Sequence, residues 1–398
     1  MLETIGGHRG ETGLHQEGPN AKWGSLFCKR TPGQTRVEMA QTQETPKMSK
    51  VWAWLQEVKL GILPASTVPI FVGTAVAFGL SHVFYLDLFL LTLTAGIFLH
   101  WGADVANDYF DHTEAHTGSD DINVDFIRPY SGGSRTIQQG LLTPREVAIG
   151  SITCYIIAGL IGVYLALRLG WVILAFGLVG AFFGFFYSTP PIRFVTRGIG
   201  EFVIGAVFGV LMVVGAFYVQ VQIPIPLTWP LVIPLEQFFE PFFMSIPVSI
   251  LIALVLYINE FPDYVADRDA GKKTLVVRLG RKHAAKGYAL AMSVMYTGVV
   301  AMVLLNLIRV ESLLALATLP LGVLGIVTTL RHYDESKKLA PANWATIVGH
   351  LFTGLFLALG YVLHGFSVAW ELTLALGLAL FVLTALMARK LGRPPADA

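Results

Sequence analysis

LDLFLLTLTAGIFLHWGADVANDYFD, residues 86–111, runs about twenty residues with hardly a charge and then gathers an amide, two acids and aromatic rings at its end. A helix needs roughly 20 apolar residues to cross the hydrocarbon core of a bilayer, and 86–106 supplies them. Hydrophobic residues make up 54% of the 398 and charged residues 14%, with a mean hydropathy of +0.61. A soluble domain carries roughly 25% charge, so that class is excluded. Comparable runs stand at 62–83, 146–167, 171–189, 200–222, 241–260, 284–308, 311–330, 343–364 and 367–388. The reading is an all-α polytopic membrane protein with nine to ten transmembrane helices in a lipid bilayer.

The net charge of +1 hides an asymmetry. With the N-terminus on side one, the connections on that side and the C-terminal tail hold Arg128, Arg135, Arg145, Arg193, Arg197, Arg268, Lys272, Lys273, Arg278, Arg281, Lys282 and further Lys and Arg to Arg393, whereas the opposite connections hold only Arg168 and Arg309. Positive charge collects in cytoplasmic loops, so both termini and the polar loops are expected to face the cytoplasm, with the protein in the plasma (inner) membrane. Cys28 and Cys154 provide neither a disulfide framework nor a metal cluster. Residues 1–47, polar and without an apolar core, read as a disordered tail rather than a signal peptide, with Met39 and Met48 as alternative starts. Residues 48–390 read as a single transmembrane domain and 391–398 as a tail. No nucleic-acid partner is expected.

The acids are not spread evenly. Asp108, Asp111, Glu114, Asp120, Asp121 and Asp125 fall within 107–125, and Glu260, Asp263, Asp267 and Asp269 within 259–269. Each cluster begins at the end of a span, the second and the sixth, and so on one membrane face. Asn107-Asp108-Tyr109-Phe110-Asp111 and Asn259-Glu260-Phe261-Pro262-Asp263 both read Asn, acid, aromatic, any residue, Asp, which suggests a duplicated four-helix unit. In a helix Asn107 and Asp111 share a face at i, i+4, as do Asn259, Asp263 and Asp267.

Solvated loop decoration explains this poorly, because like charges at that spacing are mildly destabilising. A cation bound between the clusters explains it better. His112 and His116 invite zinc, but with oxygen donors all around and no cysteine nearby the hard ion Mg²⁺ is favoured. Mg²⁺ uses one or two carboxylates plus substrate phosphates, and phosphate-binding cations stand in the same loops: Arg128, Arg135, Arg193, Arg197, Lys272, Lys273 and Arg278. A cation transporter would also put acids in membrane helices, but near the midplane rather than at span ends.

Across roughly 55–365 the chain resembles the UbiA superfamily of intramembrane aromatic prenyltransferases. The first motif of that family, Asn-Asp-x-x-Asp, is Asn107, Asp108 and Asp111, and its Gly-x-Asp is matched by Gly118-Ser119-Asp120. The second motif is met by Asp263, Asp267, Gly271-Lys272-Lys273-Thr274-Leu275 and Val277-Arg278-Leu279-Gly280. Tyr187-Ser188-Thr189-Pro190-Pro191-Ile192-Arg193 and Arg197-Gly198-Ile199-Gly200-Glu201 are similar to the menaquinone-type, 1,4-dihydroxy-2-naphthoate branch. The ubiquinone-type Tyr and Lys four residues apart is absent, with Pro191 in the second place.

The resemblance implies a UbiA-like bundle of about nine helices around a central cavity. It implies Mg²⁺ held by Asp108, Asp111, Asp263 and Asp267, which would be the catalytic set. Asn107, Asn259, Asp120, Arg135, Tyr187, Arg193, Lys272, Lys273 and Arg278 would bind substrate. The substrates implied are a polyprenyl diphosphate and an aromatic acceptor: dihydroxynaphthoate, or alternatively hydroxybenzoate, homogentisate, chlorophyllide or haem. Phe182, Phe183, Phe185, Phe186 and Tyr187 are candidates to shield an allylic cation, with membrane packing, or an interfacial belt for Tyr187, as the alternative reading.

Overall fold

The computed structural model describes residues 49–113, 119–123, 130–223, 225 and 234–392. The polar segment 1–47, Met39, Met48, Glu114, His116, Gly118, Asp125, Arg128 and residues 393–398 lie outside them. All regular elements among the described residues are helical, and ten helical runs are long and apolar enough to cross a bilayer.

The chain begins with α1 (Lys50–Glu57), a short helix capped by the Ser49 side chain. It exposes Val51, Trp52 and Leu55 and buries Ala53 and Glu57. Then come α2 (Pro64–Ser81), α3 (Leu86–Thr113) and the single turn α4 (Ser119–Ile122). A capping box between Thr143 and Glu146, with Pro144 in the first turn, starts α5 (Pro144–Leu169), which is followed by α6 (Trp171–Ser188). The fifth span is composite: α7 (Gly200–Ile204) passes through a π-helical stretch, Gly205–Leu211, into α8 (Met212–Val221). The second half comprises α9 (Glu236–Asp269), α10 (Leu275–Leu279), α11 (Arg281–Leu304), a 3₁₀ stretch Val310–Thr318 leading into α12 (Leu319–His332), α13 (Ala340–Gly365) and α14 (Trp370–Leu391).

Association of helices in lipid rests on close packing rather than on a hydrophobic drive, and small residues permit it here. A side chain at Gly73 would strike the Val213 carbonyl as α2 crosses α8, one at Gly209 would strike Ser249 of α9, and one at Gly354 would strike Val68. The outer helices α5, α6 and α14 instead turn Leu160, Leu167, Leu178 and Leu378 outward, as lipid-facing surfaces do.

Both acid motifs stand on the last turns of continuous helices and not in loops, because α3 runs on to Thr113 and α9 to Asp269. The Asn107 amide braces its turn by donating to Asp111 Oδ2 at 3.2 Å. In α9, Pro262 removes the hydrogen bond that would reach the Ile258 carbonyl. Asn343 of α13 donates to that carbonyl at 3.3 Å and to Asn259 Oδ1 at 2.7 Å. A neighbouring helix thus satisfies the backbone group freed by the proline, as membrane helices require.

Candidate active site

A cavity of about 260 Å³ lies between α2, α3, α6, the composite fifth span and α9. Where α3 and α9 end it is lined by Asn107, Asp111, Asp120, Asn259, Asp263, Asp267 and Lys272, and farther in by apolar groups such as Phe183, Val203, Val207, Phe208, Ile252 and Leu256. One ammonium joins the two motifs: Lys272 Nζ is 2.7 Å from Asp111 Oδ1 and 3.9 Å from Asp267 Oδ1. Its own backbone N–H donates to the Asp267 carbonyl at 2.8 Å, which turns the side chain inward. Burial works against the Lys272 charge, but Asp111, Asp267 and Asp120 outweigh it and hold the group above its ordinary range.

Asp108 stands behind this lining. Lys59 Nζ lies 2.8 Å from its Oδ1 and 3.1 Å from Asp104 Oδ1, while the Ser134 backbone N–H donates to its Oδ2 at 3.0 Å. Burial opposes the Lys59 charge too, and the carboxylates of Asp104 and Asp108 carry it well above the usual lysine range. Glu57 is fully buried, accepting from Ser134 Oγ at 2.7 Å and from Thr136 Oγ1. Burial, and then the Asp108 charge, push it up to about 7. Asp120 is raised well above the carboxylate range, first by burial and then by Asp111 and Asp108. Gly133, at φ +67°, lies against Asp120, and a Cβ there would fall on the carboxylate. Asp263 Oδ1 accepts from Asn123 Nδ2 at 2.6 Å.

Of the residues expected from sequence, Asn107, Asp111, Asp120, Tyr187, Asn259, Asp263, Asp267 and Lys272 share this cavity. The Tyr187 hydroxyl is buried without a hydrogen-bond partner among the described residues and lines the cavity, so it does not sit in an outward aromatic belt. Phe183 joins it, whereas Phe182 and Phe185 face outward at 45% and 44% exposure. Arg135 instead donates to the Asp120 carbonyl and fixes that turn. Arg193 is a left-handed residue opening the turn Phe194–Arg197 and is not among the cavity-lining residues. Lys273 and Arg278 also lie outside the lining. The Lys273 N–H donates to the Thr196 carbonyl, and the Arg278 guanidinium donates to the carbonyls of Lys273 and Arg197. Consecutive residues of an extended segment face opposite ways, so the inward turn of Lys272 sends Lys273 out.

Sequence reasoning passed over Lys59, Asp104 and His100. The i, i+4, i+8 spacing of His100, Asp104 and Asp108 along α3 is the signal that could have revealed two of them.

The donor set fits Mg²⁺. It is all oxygen, and each of two carboxylate pairs already gathers around a positive charge: Asp111 with Asp267 around Lys272, and Asp104 with Asp108 around Lys59. Among the described residues no three Asp, Glu, His or Cys converge into a metal cage. Mg²⁺ held by one or two carboxylates, waters and a diphosphate needs none.

The helices of this membrane bundle enclose a cavity that carries acids and two lysines at one end and is apolar at the other. The chain belongs to the UbiA prenyltransferase family, whose pattern matches residues 66–347, and it is an integral membrane enzyme that transfers prenyl groups. It is 30% identical to the 1,4-dihydroxy-2-naphthoate octaprenyltransferase of Escherichia coli, over 80% of this chain and 97% of that one. It is 28% identical to the 2-carboxy-1,4-naphthoquinone phytyltransferase of Synechocystis, over 77% and 92%. The apo structure of a UbiA homolog from Aeropyrum pernix shares the fold at a TM-score of 0.51 and 14% identity, covering 74% of this chain and 96% of that one.

Proposed function

We propose that the protein transfers a prenyl chain from a polyprenyl diphosphate to a 1,4-dihydroxy-2-naphthoate-like acceptor in quinone biosynthesis, with Mg²⁺ and with release of diphosphate. The observation that carries this reading is the Lys272 ammonium bridging Asp111 and Asp267 above an apolar floor. A diphosphate would be repelled by bare carboxylates, so the acidic end calls for cations. Lys272 is one, and the cavity-lining Asp111, Asp263 and Asp267, assisted by Asn107 and Asn259, would hold Mg²⁺, with Asp108 joining them where the ion takes the place of Lys59. The metal, when bound, would neutralise the diphosphate and make it a better leaving group.

The protein's own groups do the rest. Lys272 binds the anionic head, Asp120 and Gly133 close one side, and the apolar lining keeps water from the reacting carbon. A second, almost wholly apolar cavity of about 520 Å³ shares Phe183 and Val207 with the first and is bounded by Phe176, Phe238 and Phe242. It suits a long isoprenoid tail. Of the aromatic candidates in the sequence, Phe183 and Tyr187 line the cavity beside Phe208 and would face a developing allylic cation, each contributing about 0.5–2 kcal/mol. The naphthoate acceptor is favoured by the names of the two relatives above and by the Tyr187–Arg193 and Arg197–Glu201 motifs. The positive-charge asymmetry favours cytoplasmic termini and site loops in an inner membrane.

The test is transfer in native membranes from one labelled long-chain diphosphate, screened over dihydroxynaphthoate, hydroxybenzoate and homogentisate. Dihydroxynaphthoate should be preferred, Mg²⁺ or Mn²⁺ should be required, and EDTA should abolish turnover. Full turnover in chelated buffer, or none with any acceptor, refutes the reading.

A further inference from the structure

His100 lies on α3 two turns before Asp108, lines the cavity and is only 8% exposed. Its ring meets Phe208 edge to face at 4.8 Å between centroids. Its Nδ1 is 3.1 Å from Ser66 Oγ, and that hydroxyl already donates its hydrogen to the Leu63 carbonyl at 3.3 Å. A hydroxyl has one hydrogen to give, so Ser66 accepts from His100, and Nδ1 carries the imidazole N–H. The lone pair therefore sits on Nε2, for which no hydrogen bond is found among the described residues, on a ring that lines the cavity. Among the charged groups on the same cavity wall are Asp104, one turn along the helix, and Lys59, which holds it.

A lone pair presented to a cavity with no protein partner is available to a hydroxyl that a ligand brings. Of the two substrates in the reading above, on which this inference rests, the diphosphate head belongs with Lys272. The isoprenoid tail has no hydrogen-bond donor. Only the aromatic acceptor brings a hydroxyl to this depth, together with a ring to lie against Phe208.

We propose that His100 is the catalytic base for the aromatic acceptor, its Nε2 taking the proton of the ring hydroxyl that activates the carbon under attack, with Ser66 positioning the imidazole. The O–H bond breaks toward Nε2 and its electron pair stays on oxygen, giving a phenolate. The phenolate pushes electron density onto the ring carbon that bonds to the chain, and the diphosphate departs with the pair of the old C–O bond. That ring carbon then sheds its own hydrogen as a proton, or its carboxyl group as carbon dioxide, and the ring oxygen takes back the proton held on Nε2, so the aromatic ring is restored and the base is free again. The imidazolium so formed stands one helical turn from Asp104, whose carboxylate pairs with Lys59. The step consumes no oxidant or reductant.

The test is His100→Gln in native membranes. Glutamine keeps a hydrogen-bond acceptor and removes the base. Two acceptors are compared, one whose hydroxyl is neutral at the assay pH and one made acidic enough by an electron-withdrawing substituent to be ionised already. With the neutral acceptor kcat should fall at least about tenfold, as expected for lost proton transfer. With the ionised acceptor it should stay within about twofold of the unmodified enzyme, and KM for the prenyl diphosphate should be unchanged with both. Ser66→Ala should show the same pattern with a smaller loss. An equal loss with both acceptors, no loss with either, or a raised KM for the prenyl diphosphate overturns the assignment. Absence of transfer by the unmodified enzyme to any hydroxylated aromatic would instead remove the reading beneath it.

Discussion

The motifs Asn107–Asp111 and Asn259–Asp263 have the same pattern of residue types and are embedded in opposite ways. In the first, the asparagine amide donates, to Asp111 and to Ser188 Oγ at 2.9 Å, and the acids find lysines: Asp108 has Lys59 and Asp111 has Lys272. In the second, the Asn259 carbonyl oxygen accepts from Asn343, Asp263 accepts from the Asn123 amide, and Glu260 accepts from the Val276 backbone N–H at 3.4 Å. The first motif is thus balanced by lysine side-chain charge, the second by amides and backbone held in neighbouring elements. Lys272 links Asp111 of the first motif to Asp267, one turn beyond the second, so the two helix ends meet around one ammonium and are held differently elsewhere.

The strongest way to break this comparison is to remove one carboxylate from each side. Asp111→Ala and Asp263→Ala should each lower kcat at least about a hundredfold, since both would take help from the leaving group in the transition state. Turnover with labelled prenyl diphosphate in membranes, normalised to inserted protein, reads this out. Near-normal kcat for Asp263→Ala with collapse for Asp111→Ala would show that the amide-held motif serves structure only.

A smaller effect distinguishes the lysines. Lys272→Met disconnects the two motifs and should raise KM for the prenyl diphosphate by about tenfold, more than it lowers kcat. Lys59→Met leaves the motifs joined, so its effect on that KM should be smaller. It should nonetheless unfold more readily on heating, because Asp104 and Asp108 would be left without their cation. Equal KM effects would mean that the bridge has no special standing.

The first motif also carries a pH signature through Glu57, which rises to about 7 from an ordinary 4.5. Between those values the folded protein keeps a proton that the unfolded chain has lost, so stability falls as pH rises through the window and levels off above it. Glu57→Gln removes that dependence. The Tm of the variant should match the parent near pH 4.5 and exceed it at pH 8, and a variant Tm below the parent's at pH 8 would show that the Glu57 charge is stabilising.

The sequence revealed the spans because each must be satisfied alone in lipid: ten were readable, and the helices agree to within a few residues at most ends. It also revealed the acids that share the cavity, because i, i+4 spacing survives in any helix. It did not reveal how far α3 and α9 continue, since polar residues there look like loop until Asn343 is seen to satisfy the carbonyl freed by Pro262. Nor did it reveal Lys59, which reaches Asp108 only because its backbone takes a left-handed turn at φ 43° between α1 and the next element. Basic residues in loops were legible as a class but not individually, because the face a loop residue presents depends on backbone partners far away in sequence.

That last point gives the smallest expected effect and the sharpest discrimination between pattern and geometry. By motif alone, Lys273 and Arg278 belong with Lys272 and should bind diphosphate. In the fold both are exposed, outside the cavity lining, and the Arg278 contacts are to the carbonyls of Lys273 and Arg197, at 3.1 and 2.5 Å. Exposed groups of this kind contribute about 1 kcal/mol or less to stability. Lys273→Ala and Arg278→Ala should therefore leave KM for the prenyl diphosphate within about twofold of the parent, with Arg278→Ala costing a degree or two in Tm by loosening the 193–198 turn. A tenfold rise in KM for either would mean that the segment from Gly271 to Gly280 turns inward when substrate binds, and the division between Lys272 and its neighbours would then hold only for the empty enzyme.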